Sequence, residues 1–531
     1  MTNLSAQRIR LLTSLLVLMS VAGAEAQTAP EVPRLVVNVV IDQLRTDYME
    51  AFSPLYSDRG FMRLLKQGRV YTQAEYPFAN PDRASAIACF MSGTSPYENG
   101  IVGERWLDRQ TLSPVYCVDD KEFQGQQTTA ASSPQHLGVS TITDELKVAT
   151  EGNGLVYAIA PTRDAAVLMA GHAADGAFWF NEETGDWCST SYYGVFPEWA
   201  AAYNKTSSVK QRISKLEWEP LNELVGKYNY FVSGAEKKPF KHKFAGERKF
   251  RQFLASAPMN EETNNFVREV LKNTQVGLDD VTDILNVAYY AGNFDHQSVT
   301  QCPIELQDTY VRLDRDLGDL FEYLEKRVGQ GRVLFAITST GSAEPDDIVD
   351  LSKYRIPTGT FSITKAKLLL NMYLIAVYGP GDYVETCLDN QLYLNLKLIE
   401  NRNLNLTEIL DRSSDFLIQL SGVRDVFSSQ RLALGAGIPG VNELRNAYNP
   451  KSSGDILIQV SPGWTLVNEN THEQTICRES YVGFPLFFMG CNIVPEQITS
   501  PVTIDYVAPT LARSMRIRAP NACSLAPLQN H

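Results

Sequence analysis

Short apolar runs ended by polar turns alternate along most of the chain with segments of helical spacing. Leu35 to Ile41 is apolar at every position but Asn38, and Asp42 follows it. A run this short and this rich in β-branched residues predicts a strand buried on both faces. Residues 69–76, 154–160, 283–291, 333–337, 455–460 and 485–490 read as further strands. Residues 58–67, 84–91, 140–149, 264–271, 308–327 and 507–514 have the spacing of helices. This alternation predicts an α/β fold with a central, mostly parallel sheet flanked by helices. Two stretches interrupt the rhythm, residues 192–266 and 354–444, and read as cap insertions. There is no internal repeat and no low-complexity tract.

Ligands of open α/β sheets sit outside the carboxyl ends of the strands. Asp42 holds that position on the first strand, where a metal or phosphate site would begin. It is equally placed to cap a following helix, a common role of Asp.

Composition narrows the picture. Hydrophobic residues at 44% and charged residues at 21% are ordinary for a globular chain. The net charge of −13 argues against a nucleic-acid partner or an anionic membrane surface. Arg8 and Arg10 precede the apolar run Leu11 to Met19, and Ala24-Glu25-Ala26 ends the segment in an A-x-A pattern. Residues 1–26 therefore read as a signal peptide, leaving residues 27–528 as an exported domain, periplasmic or secreted. No stretch of about 20 apolar residues predicts a membrane span. The eight Cys form no C-x-x-C pair, which disfavours a thiolate zinc site.

Several spaced motifs occur in one order. They are Asp42-Gln43-Leu44-Arg45-x-Asp47-Tyr48, Ser92-Gly93-x-x-Pro96, Ala170-Gly171-His172, Gly176-Ala177-Phe178-Trp179-Phe180, and Asp308-Thr309-Tyr310. Ser453-Gly454-Asp455, Pro485-Leu486 and Asp505-x-x-Ala508-Pro509-Thr510 follow. Together they resemble the large exported zinc monoesterases of the alkaline phosphatase superfamily, relatives of the type I phosphodiesterase/nucleotide pyrophosphatase domain. The resemblance implies an alkaline-phosphatase-like fold, two zinc ions about 4 Å apart and a Thr or Ser nucleophile for in-line phosphoryl transfer.

Carried over residue by residue, the resemblance implies a dismantled site. The first Asp ligand is kept as Asp42. The nucleophile position falls on Arg83. An Asp-x-x-x-His ligand pair falls on Asn293 and Gln297, an Asp-His pair on Ser339 and Thr340, and a last His on Gln474. Among the phosphate-contacting positions, a Lys-x-Arg becomes Thr162-Arg163-Asp164 and an Asn becomes Glu104. A lone carboxylate left after metal loss would be costly unless paired. The expectation is therefore that Arg83 pairs with Asp42 in place of the cation, with Asn293, Gln297 and Gln474 as a neutral plug. No metal or other cofactor is expected, and a protein or small-molecule ligand in the old cleft is the expected partner.

The alternative is an active phosphatase or phosphodiesterase with a rearranged zinc site. It would draw on Asp42, Asp295, His296 and His472 as ligands, with Ser85 as a shifted nucleophile.

Overall fold

The computed structural model describes residues 31–226, 239–342, 355–435, 440–469, 473–477 and 483–529. The leader assigned to residues 1–26 lies outside them, as does His472. At the centre is an eleven-stranded sheet. In chain order its strands are β1 (Leu35–Asp42), β2 (Arg69–Glu75), β3 (Gly125–Gln126), β4 (Val156–Ala160), β5 (Gly176–Phe180), β6 (Trp187–Thr190), β7 (Asp283–Tyr290), β8 (Val333–Ser339), β9 (Phe484–Gly490), β10 (Glu496–Ile498) and β11 (Val502–Thr503). They are ordered β10-β2-β9-β8-β1-β7-β4-β5-β6-β3, and β11 pairs with β2. From β8 to β5 the neighbours are parallel. β9 and β6 are antiparallel to the strands on either side of them.

The helices that matter below are α1 (Arg83–Ser92), α2 (Arg163–Ala170), α3 (Pro258–Asn273), α4 (Pro303–Val328), α5 (Ile363–Tyr378), α6 (Leu406–Leu417) and α7 (Val507–Met515). Side chains of a strand alternate between its faces, and β1 divides accordingly. Leu35, Val37, Val39 and Ile41 enter one core with α3 and α4. Val36 and Val40 enter another with α1, α2 and α7. Because both faces are covered, all eight residues of β1 are buried, which explains its continuous apolar sequence. Its polar exception, Asn38, donates from Nδ2 to Asn286 Oδ1 of β7 at 2.8 Å.

The residues of the first interruption pack onto the α3/α4 core. Trp218, Phe240, Phe250 and Phe253 are part of it, and Trp218 Nε1 donates to Asp308 Oδ2 at 2.6 Å. The second interruption builds a separate core, with α5 and α6 covering a small sheet. Its strands, in spatial order, are Val384–Leu388, Gln391–Leu394, Ile456–Val460 and Val423–Ser428. The strand read at residues 455–460 thus belongs to this smaller sheet. Among the described residues no helix is long and apolar enough to cross a membrane.

Candidate functional site

The carboxyl ends of β1, β7 and β8 lie side by side, with Asp42 opposite Tyr290 in the parallel register. Gln43 turns the chain sharply with φ 64°. The next helix, Thr46–Ala51, starts after Arg45, whose side chain makes no cap bond. Asp42 is therefore not the cap of that helix. Its carboxylate looks onto the cleft instead, where Thr340 Oγ1 donates to Oδ1 at 2.8 Å. Arg83 Nη1 lies 3.4 Å from Oδ2.

Arg83 is the first residue of α1. The positive end of a helix dipole disfavours a cation there, and the surroundings compensate. Besides Asp42, Nη2 stands 2.8 Å from Glu104 Oε1 and Nε 2.8 Å from Asp164 Oδ2. The Asp164 side chain, in the first turn of α2, is wholly buried. Burial alone would raise its titration, but the Arg83 guanidinium holds it below the usual carboxylate range. Glu104 goes the other way. Burial pushes it up to about 8, with Asp164 and Asp42 adding to the rise and Arg83 opposing it. One guanidinium shared among three carboxyl groups does not outweigh that burial.

The remaining positions fall into three groups. Ser339 ends β8 and Thr340 follows it, beside Asp42. The Ser339 hydroxyl donates to Leu44 O at 2.8 Å, and Thr340 Oγ1 also accepts from Gln43 N at 3.2 Å. Asn293 and Gln297 follow β7. Asn293 is buried and its carbonyl accepts from Tyr290 Oη at 2.7 Å, while Gln297 Oε1 lies 3.0 Å from Cys302 Sγ. Gln474 is elsewhere. It is exposed, on the strand Glu473–Ile476, opposite Val467. The expected amide plug thus loses Gln474, because that strand pairs with Thr465–Asn468 and leaves the side chain exposed. Thr162 precedes α2 without a side-chain cap bond and lines the cleft.

The Ser85 hydroxyl is engaged at the start of α1. It completes a capping box with Asp82, accepting from Asp82 N at 3.0 Å and donating to Asp82 Oδ1 at 2.7 Å, and it is buried. Asp295 is drawn off by Arg248 at 3.0 Å and Gln252 at 3.3 Å. His296 lines the cleft, its ring edge-on to Tyr290 at 6.1 Å. Among the described residues no three His, Cys, Asp or Glu side chains are grouped to hold a metal. A hydroxyl and a guanidinium beside one carboxylate are not a zinc donor set. These residues do not fit the two-zinc centre that the resemblance implies.

The cleft itself is large. Cavities of about 700 and 620 Å³ meet at Asp82, Glu104 and Tyr116, one over the strand tips and the other against the second insertion. Sequence reasoning treated Glu104 and Asp164 as acids facing a phosphate and did not join them to Arg83. The available signal was that three of the altered positions carry complementary charges.

The family model described as type I phosphodiesterase / nucleotide pyrophosphatase matches residues 36–483. A protein of Myroides odoratus named calcium-transporting ATPase is 30% identical over 527 residues, covering 94% of each chain. Alkaline phosphatase PafA of Elizabethkingia meningoseptica is 28% identical over 543 residues, covering 97% of this chain and 98% of its own. Alkaline phosphatase PhoV of Synechococcus elongatus is 28% identical over 511 residues, covering 92% and 91%. The crystal structure of wild-type PafA matches with a TM-score of 0.82 at 27% identity, covering 94% of this chain and 99% of that one.

Proposed function

The chain belongs to the type I phosphodiesterase / nucleotide pyrophosphatase family, and from that premise we propose that it is a binding member which does not transfer phosphoryl groups. One observation carries the reading: the guanidinium of Arg83, held by Asp42, Glu104 and Asp164 at the tip of β1. A cation already occupies the carboxylate that a zinc ion would need. The Asp42 and Asp164 carboxylates already engage that guanidinium, so it offers no free positive charge to a phosphoryl oxygen. Fold does not fix function, and the site weighs more.

In this reading the protein is exported after loss of residues 1–26, requires no cofactor, and takes a protein or small-molecule ligand in the cleft. The acidic net charge of −13 disfavours nucleic acid.

The end-to-end likeness to PafA and PhoV favours a second reading, an active phosphoric-ester hydrolase whose zinc ligands are rearranged. One experiment separates the two. The mature chain is purified, its zinc content measured, and hydrolysis of an aryl phosphate and an aryl phosphodiester followed with zinc added. No stoichiometric zinc and no turnover above buffer is the expected result. Stoichiometric zinc with turnover abolished by a chelator would establish the hydrolase.

A further inference from the structure

We propose that the cleft takes a linear polyamine, whose ammonium groups lie among the carboxylates of the two joined cavities. The inference rests on the binding reading given above and names the class of its ligand. Both cavities have the size of small-molecule sites, and they meet at Asp82, Glu104 and Tyr116. Seven acidic side chains line the pair, against three arginines and no lysine. Each arginine is already engaged. Arg83 is held by three carboxyl groups, Arg105 by Glu473 at 2.5 Å and Asp389 at 3.5 Å, and Arg163 by Asp119 at 2.9 Å. Acids outnumber arginines in each cavity, five to two over the strand tips and four to one against the second insertion. A cleft lined by one sign of charge concentrates ions of the other. A separate observation points the same way. Thr162 Oγ1, which lines the strand-tip cavity, and Asp164 Oδ1, of a wholly buried side chain beside Arg83, have no hydrogen-bond partner. A buried acceptor left unpaired is costly, and an ammonium group brings three donors.

Other classes of ligand fit the lining less well. An anion meets arginines that carboxylates already hold. A sugar or a peptide needs side chains to read its hydroxyl or amide groups, but the amides of the lining are spent on the protein's own backbone. Asn181 Nδ2 donates to Gln127 O at 3.0 Å, Asn390 Nδ2 donates to Ile458 O at 3.1 Å, and Gln391 Oε1 accepts from Gly454 N at 2.6 Å. Between the acids the walls are aromatic, with Trp179 and Tyr290 in one cavity, Tyr393 and Tyr448 in the other, and Tyr116 at the junction. Methylene segments pack on such rings, and ammonium groups are drawn to their faces. Apolar chain alternating with positive charge is the complement of this lining.

The test is titration calorimetry of the mature chain with spermidine, a linear triamine. One-to-one binding is expected at low salt, weakened about tenfold at high salt as the charges are screened. Butylamine, with a single charge, should bind about tenfold more weakly, and the fully acetylated triamine should not bind. Glu104→Gln at the junction and Asp389→Asn in the outer cavity should each weaken spermidine about tenfold, with unchanged circular dichroism. Glu198→Gln, at an exposed acid outside the cleft, should leave the affinity as it is. No binding of spermidine would overturn the proposal. So would binding indifferent to both cleft substitutions, or tighter binding of inorganic phosphate or of a neutral oligosaccharide. A chain without zinc or turnover that also ignores spermidine would refute the ligand class alone, whereas stoichiometric zinc with turnover would refute the binding reading itself.

Discussion

Arg83 Nε meets Asp164 Oδ2 at 2.8 Å although the two residues are eighty-one positions apart and open different helices. The contact puts a cation at the positive end of α1 and a carboxylate where no solvent reaches it. Each placement is unfavourable alone and tolerable together. Removing one partner of a buried ion pair costs about 3–5 kcal/mol. Arg83→Ala is expected to lose that much in urea unfolding at pH 7. Because the loss comes from carboxyl groups stripped of their cation, acidification should return part of it. Arg83→Lys should fall between, since an ammonium cannot serve three carboxyl groups in a fixed plane.

Restoring the family's nucleophile does not restore its chemistry. Arg83→Thr supplies a hydroxyl, but the neighbouring positions remain Asn293, Gln297, Ser339 and Thr340, which are poor zinc donors. The variant is expected to bind no stoichiometric zinc and to hydrolyse no aryl phosphate. Zinc measurement and an initial-rate assay check both.

The sheet was legible in the sequence because burial on both faces leaves uninterrupted apolar runs, as in β1. The helix read at residues 308–327 likewise became α4, Pro303–Val328. Asp42 was legible as a strand-tip residue, though not that its neighbours would be Thr340 and Arg83. The cage around Arg83 was not legible, because Glu104 and Asp164 lie on a loop and a second helix that no spacing relates to α1. Gln474 shows the converse. Counting back from Pro485 lands on the strand Glu473–Ile476, whose pairing of Gln474 with Val467 follows its own register. The small sheet was also hidden, since its strands are interleaved with helices much as a larger sheet's would be.

Buried Asp316 makes stability fall with rising pH. It sits within α4, wholly buried, with Oδ2 lacking a hydrogen-bond partner and Arg315 at 3.4 Å from Oδ1. Burial pushes its titration up to about 7, against the pull of Arg315, whereas an unfolded Asp titrates near 4. The folded chain therefore holds the proton more tightly. Its stability is full below pH of about 4 and declines up to about 7, by a few kcal/mol. Asp316→Asn should flatten that part of the urea stability profile. A profile identical to wild type would count against this assignment.

His172 adds a dependence of the same sign at higher pH. Nδ1 lies 2.8 Å from Asp144 Oδ2 and Nε2 3.0 Å from Leu137 O, so both ring nitrogens face acceptors, as an imidazolium requires. The bond to Asp144 raises the titration of His172, against the effect of burial. Asp144, which burial would raise, is held below its usual range chiefly by His172. The stabilisation is present below the unfolded His value of about 6.5 and is lost as pH rises through the elevated folded value. The difference between wild type and His172→Gln should shrink over that interval. NMR titration of the imidazole C–H resonances should place its midpoint above about 6.5.

Arg109 fastens the second insertion to the rim of the cleft. Its Nη1 and Nη2 reach Asp455 at 3.0 and 3.1 Å, and Nη2 also donates to Ser453 O at 2.7 Å. Asp455 in turn accepts from Leu394 N at 2.7 Å, so one carboxylate joins the rim to two strands of the small sheet. A two-pronged guanidinium–carboxylate pair fixes orientation as well as distance. Asp455→Ala leaves the strand hydrogen bonds of the small sheet in place but strands the Arg109 guanidinium and frees Leu394 N. The expected cost is about 3 kcal/mol or more, as for breaking a largely buried pair. It should be confined to the insertion, because β1 and its neighbours draw on separate cores. Hydrogen exchange should therefore speed up at Gln391–Leu394 and Ile456–Val460 while β1 and β7 keep their protection. Equal loss of protection in β1 would mean that the insertion and the central sheet unfold as one unit.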